Sequence, residues 1–421
     1  MYGLLGKKLG HSYSKVIHEQ MLVEKYELLS LNEEELDEFL QQKKFNFVNV
    51  TIPYKQTVIP YLDEIDYSAK KIGAVNLIVN RNNKLIGYNT DYYGLLQLIK
   101  KSKIQIEDKN CLILGTGGTS KTACAVLEYL NAKTITFASR TKSDNVVTYQ
   151  ELTKATKANY QVIVNTTPVG MYPDIDNSPI SLDDFSSLEG VVDVIYNPIR
   201  TQLIQDANER GINAVSGLEM LIYQAAKAEE IFFEKQISTE LLNKIYQRIL
   251  LDKLNIVLIG MPGVGKTTIG KILEQELGKQ LIDVDEEIEK KVNMSIPNIF
   301  EKFKEPYFRK LEAETIKEVA LNSNTIIATG GGAILNYNNV LNLKANGIVI
   351  LIERDLDNIL ITNNRPLTKS KEELLALAAT RMPLYQKAQD VTLTNIDIAN
   401  PTLVSNYVMN KIGEFLKGEQ N

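Results

Sequence analysis

One eight-residue run, Gly260-Met-Pro-Gly263-Val-Gly265-Lys266-Thr267, constrains this chain more than any other. It fits G-x-x-x-x-G-K-[ST] and follows an apolar, β-rich run at 255–259, the kind expected for a buried parallel strand. The glycines let the backbone curl until successive N–H groups point at phosphate oxygens. Lys266 can then reach the β- and γ-phosphates of ATP, and the Thr267 hydroxyl can bind Mg²⁺. A helix expected over 268–277, from Thr268, would aim its positive end at the same anion. A plain turn would need the glycines but not the Lys-Thr pair. A strand of this type opens its domain, yet more than half of the 421 residues precede it, so those residues need a domain of their own.

A chain of this length predicts two or three domains with sizeable cores. A net charge of −5 argues against sequence-independent nucleic-acid binding and leaves room for local basic clefts. Cys111 and Cys124 match no metal or disulfide spacing and read as reduced core residues of a cytosolic protein. No run reaches the roughly 18 apolar residues of a membrane span, and no secretory pattern opens the chain. The expected location is cytoplasmic, with no membrane partner. The oligomeric state is left open.

Up to residue 100, β-rich runs at 48–52 and 74–79 alternate with helix-like stretches such as 32–42, where Glu33 to Glu35 read as a solvated helix start. From residue 110 the pattern sharpens. A strand at 111–114, a glycine loop at Gly115-Thr-Gly117-Gly118, a helix at 121–130 and a strand at 134–138 make a βαβ start that predicts a bound dinucleotide. At the tip of the second strand stands Ser139-Arg140-Thr141-Lys142, with no carboxylate before Asp144. A guanidinium among hydroxyls suits a 2′-phosphate, so the cofactor is predicted to be NADP(H). Further strands are expected at 162–165 and 191–195, and a helix at 218–233 with 239–250 as its tail. The joint is 251–253, followed by strands at 325–328 and 347–352.

The first half resembles shikimate dehydrogenase at many points in family order. His11-Ser12-Tyr13-Ser14 is similar to H-S-x-S, residues 49–55 (NVTIPYK) to N-V-T-x-P-x-K, residues 73–76 to G-A-V-N and residues 89–91 to N-T-D. Residues 165–171, 193–196 and 217–224 also fit. The resemblance implies an α/β substrate domain over 1–100, completed by helices at 218–250, and a Rossmann domain over 101–250. Reduction of a ketone leaves an alkoxide that needs a proton donor. The resemblance makes that donor Lys55, held by Asp91, a pair that in isolation would read as a surface salt bridge. It also implies Ser12, Ser14 and Thr51 at the substrate carboxylate, Asn76 and Gln224 at the ring hydroxyls, Tyr196 beside substrate or nicotinamide, and Gly217 at the cofactor. His11 and His18 read as structural. Lys15 and Phe47-Val48 depart from the family around the substrate mouth.

The second half resembles shikimate kinase, which implies a P-loop domain of the nucleoside-monophosphate-kinase type over 254–421. Asp283-Val-Asp285 places two carboxylates on one face of an expected extended segment. Phe308-Arg309-Lys310-Leu311-Glu312, Thr329-Gly330-Gly331-Gly332, Arg365-Pro-Leu and Arg381-Met-Pro-Leu-Tyr385 follow in family order. The resemblance implies Thr267 and Asp283 at Mg²⁺, Asp285 as the base, Arg309 and Arg381 at the shikimate carboxylate, and Glu312 orienting Arg309. Gly331 and Gly332 would offer N–H groups, Phe300 and Phe308 would wall the ring, and Arg365 would stabilise the transferring phosphoryl. Lys304 stands where the family has glycine, and the lid at 362–364 is short and lacks a second arginine.

Two halves that handle one intermediate support each other. The expected activity is NADPH-dependent reduction of 3-dehydroshikimate, then MgATP-dependent phosphorylation of shikimate, with small molecules as the partners. The alternatives are an active dehydrogenase with an impaired kinase, a metabolite-sensing regulator that keeps both folds, and a quinate-using NAD dehydrogenase, which Arg140 disfavours.

Overall fold

The computed structural model describes residues 1–7, 9, 13–23, 25–358, 370–394, 396 and 398–418. Two compact units emerge, Met1–Met171 with Asn177–Ile249, and Tyr172–Asp176 with Leu250–Asn421.

In the first unit, β1 (Tyr2–Gly6), β2 (Glu27–Ser30), β3 (Phe47–Val50), β4 (Glu64–Ile65), β5 (Leu77–Arg81) and β6 (Lys84–Tyr88) form a mixed sheet ordered β2-β1-β3-β5-β6-β4. β3 is buried on both faces, which is why it is apolar except for Asn49. The expected strand at 74–79 starts only at Leu77, and that at 48–52 stops at Val50. Asn76 O accepts from Val50 N and Val75 N donates to Lys55 O, each at 2.8 Å, so a loop is stitched to the end of β3. The helix Glu33–Gln42 starts with a capping box between Asn32 and Glu35, which gives Glu35 a bonding role beyond its charge.

The second sheet of this unit holds β7 (Asn110–Leu114), β8 (Thr134–Ser139), β9 (Val146–Thr148), β10 (Val162–Asn165), β11 (Gly190–Asp193) and β12 (Asn213–Ser216). All pairs are parallel, in the order β12-β11-β10-β7-β8-β9. Strand order reverses between β7 and β10, which opens the crevice where such sheets bind dinucleotides. The helix Leu218–Phe233 ends at Glu234 in the left-handed region (φ 56°), and Glu230 Oε1 accepts from Ile237 N at 3.0 Å. Thr239–Lys253 is therefore a helix in its own right, not a tail, and it absorbs the expected joint at 251–253.

In the second unit, β13 (Asn255–Ile259), β14 (Leu281–Asp283), β15 (Ile326–Ala328), β16 (Gly347–Glu353) and β17 (Val391–Thr394) form a parallel sheet ordered β14-β15-β13-β16-β17. β13 is central and wholly buried, as its apolar run demands. The following helix starts at Lys266, two residues earlier than expected.

Two findings correct or extend the sequence reading. Asp283 and Asp285 do not share one face of a strand. Asp283 ends β14 and caps the helix Val284–Val292, its Oδ1 accepting from Asp285 N at 3.0 Å, so Asp285 sits in the first helical turn. The helical stretch Ile296–Ala320 is broken at Lys304, whose φ of 68° and ψ of 171° lie in a region open essentially to glycine alone. Such a backbone costs about 1–3 kcal/mol, against about 0.5–1 kcal/mol for the extra freedom of glycine in the unfolded chain. Lys304→Gly is thus expected to stabilise the protein by about 1 kcal/mol, read as a higher urea midpoint by far-UV ellipticity. An unchanged or lower midpoint would show that the surroundings have relaxed the strain.

Among the described residues, no helix is long and apolar enough to cross a membrane.

Candidate active sites

The first cleft, about 340 Å³, forms where β3, the Gly73–Asn76 loop and four helices converge. Lys55 follows β3, and its Nζ lies 2.6 Å from Asp91 Oδ2, both side chains partly buried. Asp91 occupies the first turn of the helix Thr90–Ser102, whose cap Asn89 accepts from Tyr92 N at 3.2 Å. Asn76 is locked in place. Its Oδ1 accepts from Thr90 N at 2.6 Å, while its Nδ2 donates to Thr90 Oγ1 at 3.0 Å and to Gln224 Oε1 at 3.5 Å. Gln224 comes from the helix Leu218–Phe233. That helix lies so near Thr90–Ser102 that a Cβ on Gly94 would fall 2.5 Å from Met220 O, so only glycine permits this crossing.

Ser14, Thr51 and Tyr196, singled out in the sequence for the substrate, and Gly217, singled out for the cofactor, also line the cleft. Burial pushes the Tyr196 hydroxyl above its ordinary range, and its ring meets Tyr13 edge-on at 6.1 Å. Ser12 and His11 lie outside the described residues. His18 is fully buried, its Nδ1 2.7 Å from Glu229 Oε1 and its ring stacked on Tyr26 at 4.2 Å, in keeping with a structural role. Among the cleft residues given no role by the sequence reading are Asn49, Thr119 and Met220. Only Asn49 carried a signal, as a polar residue inside an apolar strand. Its Oδ1 accepts from the Tyr26 phenol hydroxyl at 2.8 Å.

Thr119 connects the cleft to the glycine loop. Gly115 has φ +102° and ends β7 as a tight turn. Gly117 has an ordinary φ of −77°, and a Cβ at Gly117 or Gly118 would meet nothing within 4 Å. Neither the backbone nor internal packing requires glycine at these two positions, and the open space lies at the N-terminus of the helix Gly118–Tyr129. That is the arrangement a pyrophosphate needs for close approach. At the end of β8, Ser139 Oγ bonds Thr141 O and Thr141 N. Lys142 is paired with Glu151, whereas Arg140 is exposed and has no carboxylate partner among the described residues.

The second cavity, about 720 Å³, sits at the C-terminal ends of β13, β14 and β15. The loop glycines Gly260, Gly263 and Gly265 have φ of 143°, 86° and 100°, the left-handed backbone that turns N–H groups inward. Thr268 lines the same cavity. Lys266 is buried and donates to Gly260 O (2.8 Å) and Met261 O (3.0 Å). Thr267 Oγ1 donates to Asp283 Oδ2 at 2.7 Å, so a hydroxyl and a carboxylate meet where hard oxygen ligands for a magnesium ion are wanted. Burial, with Asp283 adding to it, pushes Asp285 up to about 6, and its Oδ1 is buried without a partner.

Across the cavity, Arg309 Nη1 donates to Glu312 Oε2 at 2.8 Å. A Cβ on Gly332 would lie 2.2 Å from that nitrogen, so glycine is what admits the guanidinium. Arg381 Nη1 donates to Gly331 O at 2.9 Å. Tyr385, buried, donates to Gly260 O at 2.9 Å and Gly331 O at 2.5 Å, tying the phosphate loop to the glycine triplet in a way the sequence did not reveal. Phe300 and Phe308 face each other at 4.9 Å along the wall. Arg365 and the lid at 362–364 lie outside the described residues.

Comparison with known proteins matches both halves. The model of the shikimate dehydrogenase substrate binding domain matches residues 4–78, and that of shikimate kinase matches residues 262–417. The shikimate dehydrogenase (NADP(+)) of Clostridium beijerinckii is 38% identical over 262 residues, 58% of this chain and 96% of that protein. That of Methanococcus aeolicus is 37% identical over 255 residues, 55% of this chain and 91% of that protein. Among solved structures, a chorismate mutase/shikimate 5-dehydrogenase fusion protein from Clostridium acetobutylicum superposes with a TM-score of 0.56 at 36% identity, covering 59% of this chain and 96% of that one. Shikimate 5-dehydrogenase from Thermus thermophilus, in complex with NADP(H) and shikimate, gives 0.54 at 26%, covering 59% and 98%. Relatives matched over nearly their full length by the first half, and a kinase model matched over most of the second, show that this chain belongs to the shikimate dehydrogenase family and joins to it a shikimate kinase domain, a bifunctional enzyme of the shikimate pathway.

Proposed function

We propose that the first half reduces 3-dehydroshikimate with NADPH and that the second phosphorylates the resulting shikimate at its 3-hydroxyl with MgATP. We assign 1–100 with 218–250 to substrate binding, 101–250 to the dinucleotide and 254–421 to the kinase. The observation that carries the reading is the Lys55–Asp91 contact of 2.6 Å inside a cleft that also holds Asn76 and Gln224. The nicotinamide, when bound, supplies the hydride. Lys55 donates the proton to the oxygen that becomes the alcohol, and Asp91 keeps the ammonium aimed at it. Ser14 and Thr51, with Ser12, hold the carboxylate, and the locked Asn76 amide with Gln224 selects the ring hydroxyls. Gly115, Gly117, Gly118 and Gly217 make room for the dinucleotide, and Ser139, Arg140 and Thr141 take the 2′-phosphate.

In the kinase, bound magnesium neutralises phosphate charge, and Thr267 and Asp283 are the residues that would hold it. Asp285 accepts the proton of the attacking hydroxyl. Arg309 and Arg381 hold the carboxylate, Gly331 and Gly332 line the ring site, and Lys266 with Arg365 meets the phosphoryl group. The protein acts in the cytoplasm on small molecules. Incubating the full chain with 3-dehydroshikimate, NADPH and MgATP, and weighing the products, tests the whole reading. Shikimate 3-phosphate is expected, and its absence alongside shikimate would leave only the dehydrogenase.

The cofactor has its own test. Arg140→Ala is expected to raise the KM for NADPH at least tenfold, since a hydrogen bond to a charged group contributes about 1.5–3 kcal/mol, with little change for NADH. Equal weakening of both would remove Arg140 from the 2′-phosphate.

A further inference from the structure

Arg309 is held from two sides. Besides the bond to Glu312, its Nε and Nη2 both donate to Glu305 Oε1, at 3.1 and 2.9 Å. A guanidinium carries five N–H groups in one plane, so three engaged groups fix that plane and leave two for a ligand. Glu312 is buried and lines the cavity. Glu305 is partly exposed and absent from the lining among the described residues, so it grips the guanidinium from outside.

Glu305 owes its place to the break at Lys304. In an unbroken helix, residues 300 and 308 would stand about 12 Å apart along the axis, at 1.5 Å per residue. Phe300 and Phe308 instead meet at 4.9 Å, and both line the cavity. The break folds one helical segment back toward the other and makes Glu305 the first residue after the bend, at i,i+4 spacing to Arg309. The glycine-like backbone of Lys304 is thus coupled to the geometry of the wall and of the arginine together.

We propose that Glu305 is a positioning residue of the phosphoryl-acceptor pocket, clamping the outer edge of Arg309 so that its remaining N–H groups meet the acceptor's carboxylate. The inference rests on the reading that Arg309 receives that carboxylate. An arginine side chain has many rotamers, and a two-sided clamp removes the freedom it would otherwise lose on binding. The effect belongs to ground-state and transition-state binding alike, so it should appear in KM rather than kcat.

The test measures kinase rates of the full chain at saturating MgATP with shikimate varied. Glu305→Gln keeps an oxygen acceptor but loses the charge, and should raise the KM for shikimate about three- to tenfold. Glu305→Ala should raise it further, with kcat within about twofold of the parent in both. A lower kcat with unchanged KM would indicate a merely structural role and overturn the proposal. So would a KM that stays or falls, the latter because Glu305 would then compete with the substrate. Should the alanine variant fold poorly, the isosteric Glu305→Gln decides alone. Arg309→Ala separates the two levels. If it leaves KM unchanged, the reading of Arg309 fails and the inference falls with it; if it raises KM and neither Glu305 variant does, the inference alone fails.

Discussion

Lys55→Met is expected to lower the reductase rate by about 10²–10⁴-fold, the range a positioned general acid contributes, while kinase turnover continues. The side chain is partly buried and ends on Asp91 at 2.6 Å, so methionine keeps most of the packing and removes only the proton source. Asp91 would then lose its cationic partner in a half-buried cleft, which adds a modest stability cost without unfolding the unit. The measurement is NADPH oxidation in the presence of 3-dehydroshikimate, with shikimate phosphorylation in the same sample as the control. A variant that retains near-parental reductase activity would remove Lys55 from the chemistry. Loss of both activities would point to misfolding.

Asp285→Asn is expected to lower shikimate phosphorylation by a similar factor, and the parent enzyme should carry the signature of Asp285 in its pH profile. Burial and the neighbouring Asp283 disfavour the charged form and push Asp285 up to about 6. A base must be ionised to accept a proton. Activity should therefore be half-maximal near pH 6, close to full a pH unit above it, and fall about tenfold per unit below it. An aspartate in its ordinary range would hold that activity down to about pH 4. The unpartnered Oδ1 fits the same sign: no hydrogen-bond donor stabilises the anion at that oxygen, and the charges of Lys266 and Arg309 offset burial only in part. A profile flat to pH 4.5 for kcat/KM, or an Asn variant with parental rate, would remove Asp285 from the role of base. The reductase rate, followed in parallel, shows whether the fold survives the acid range.

The parts of this protein that local chemistry dictates were legible before any coordinates. The phosphate loop is one, because glycines with positive φ, a lysine and a threonine are all read within a few residues of each other. The buried strands β7, β10 and β13 are others, since a parallel strand covered on both faces must be apolar along its length. The helices expected over 32–42 and 268–277 are bounded in the structure by an Asn32 cap and a left-handed Gly278, which is ordinary capping chemistry. The family-order motifs then named most of the cleft residues.

What escaped was everything set by non-local geometry. The strand reading of residues 281–285 failed because Asp283 prefers to cap a helix, and an alternation of acids cannot reveal which N–H groups will need an acceptor. Thr119 and Met220 enter the cleft only because separate elements converge there. Gly94 looks like a helix defect in one dimension, yet it is the contact that brings the Asp91 and Gln224 helices together. Tyr385 reaches two backbone carbonyls more than 50 residues distant in sequence.

Sequence alone thus marked the two glycine-rich loops and the α/β character of both halves, because spacing and residue type carry that information within a few turns of chain, while the proposed donor and base followed from the family resemblance. Only the tertiary structure decided which groups touch, how Arg309 is clamped, and why Lys304 tolerates a backbone suited to glycine. Those depend on distances between segments far apart in the chain, and contacts across the fold can hold a residue in a conformation its own local preferences oppose.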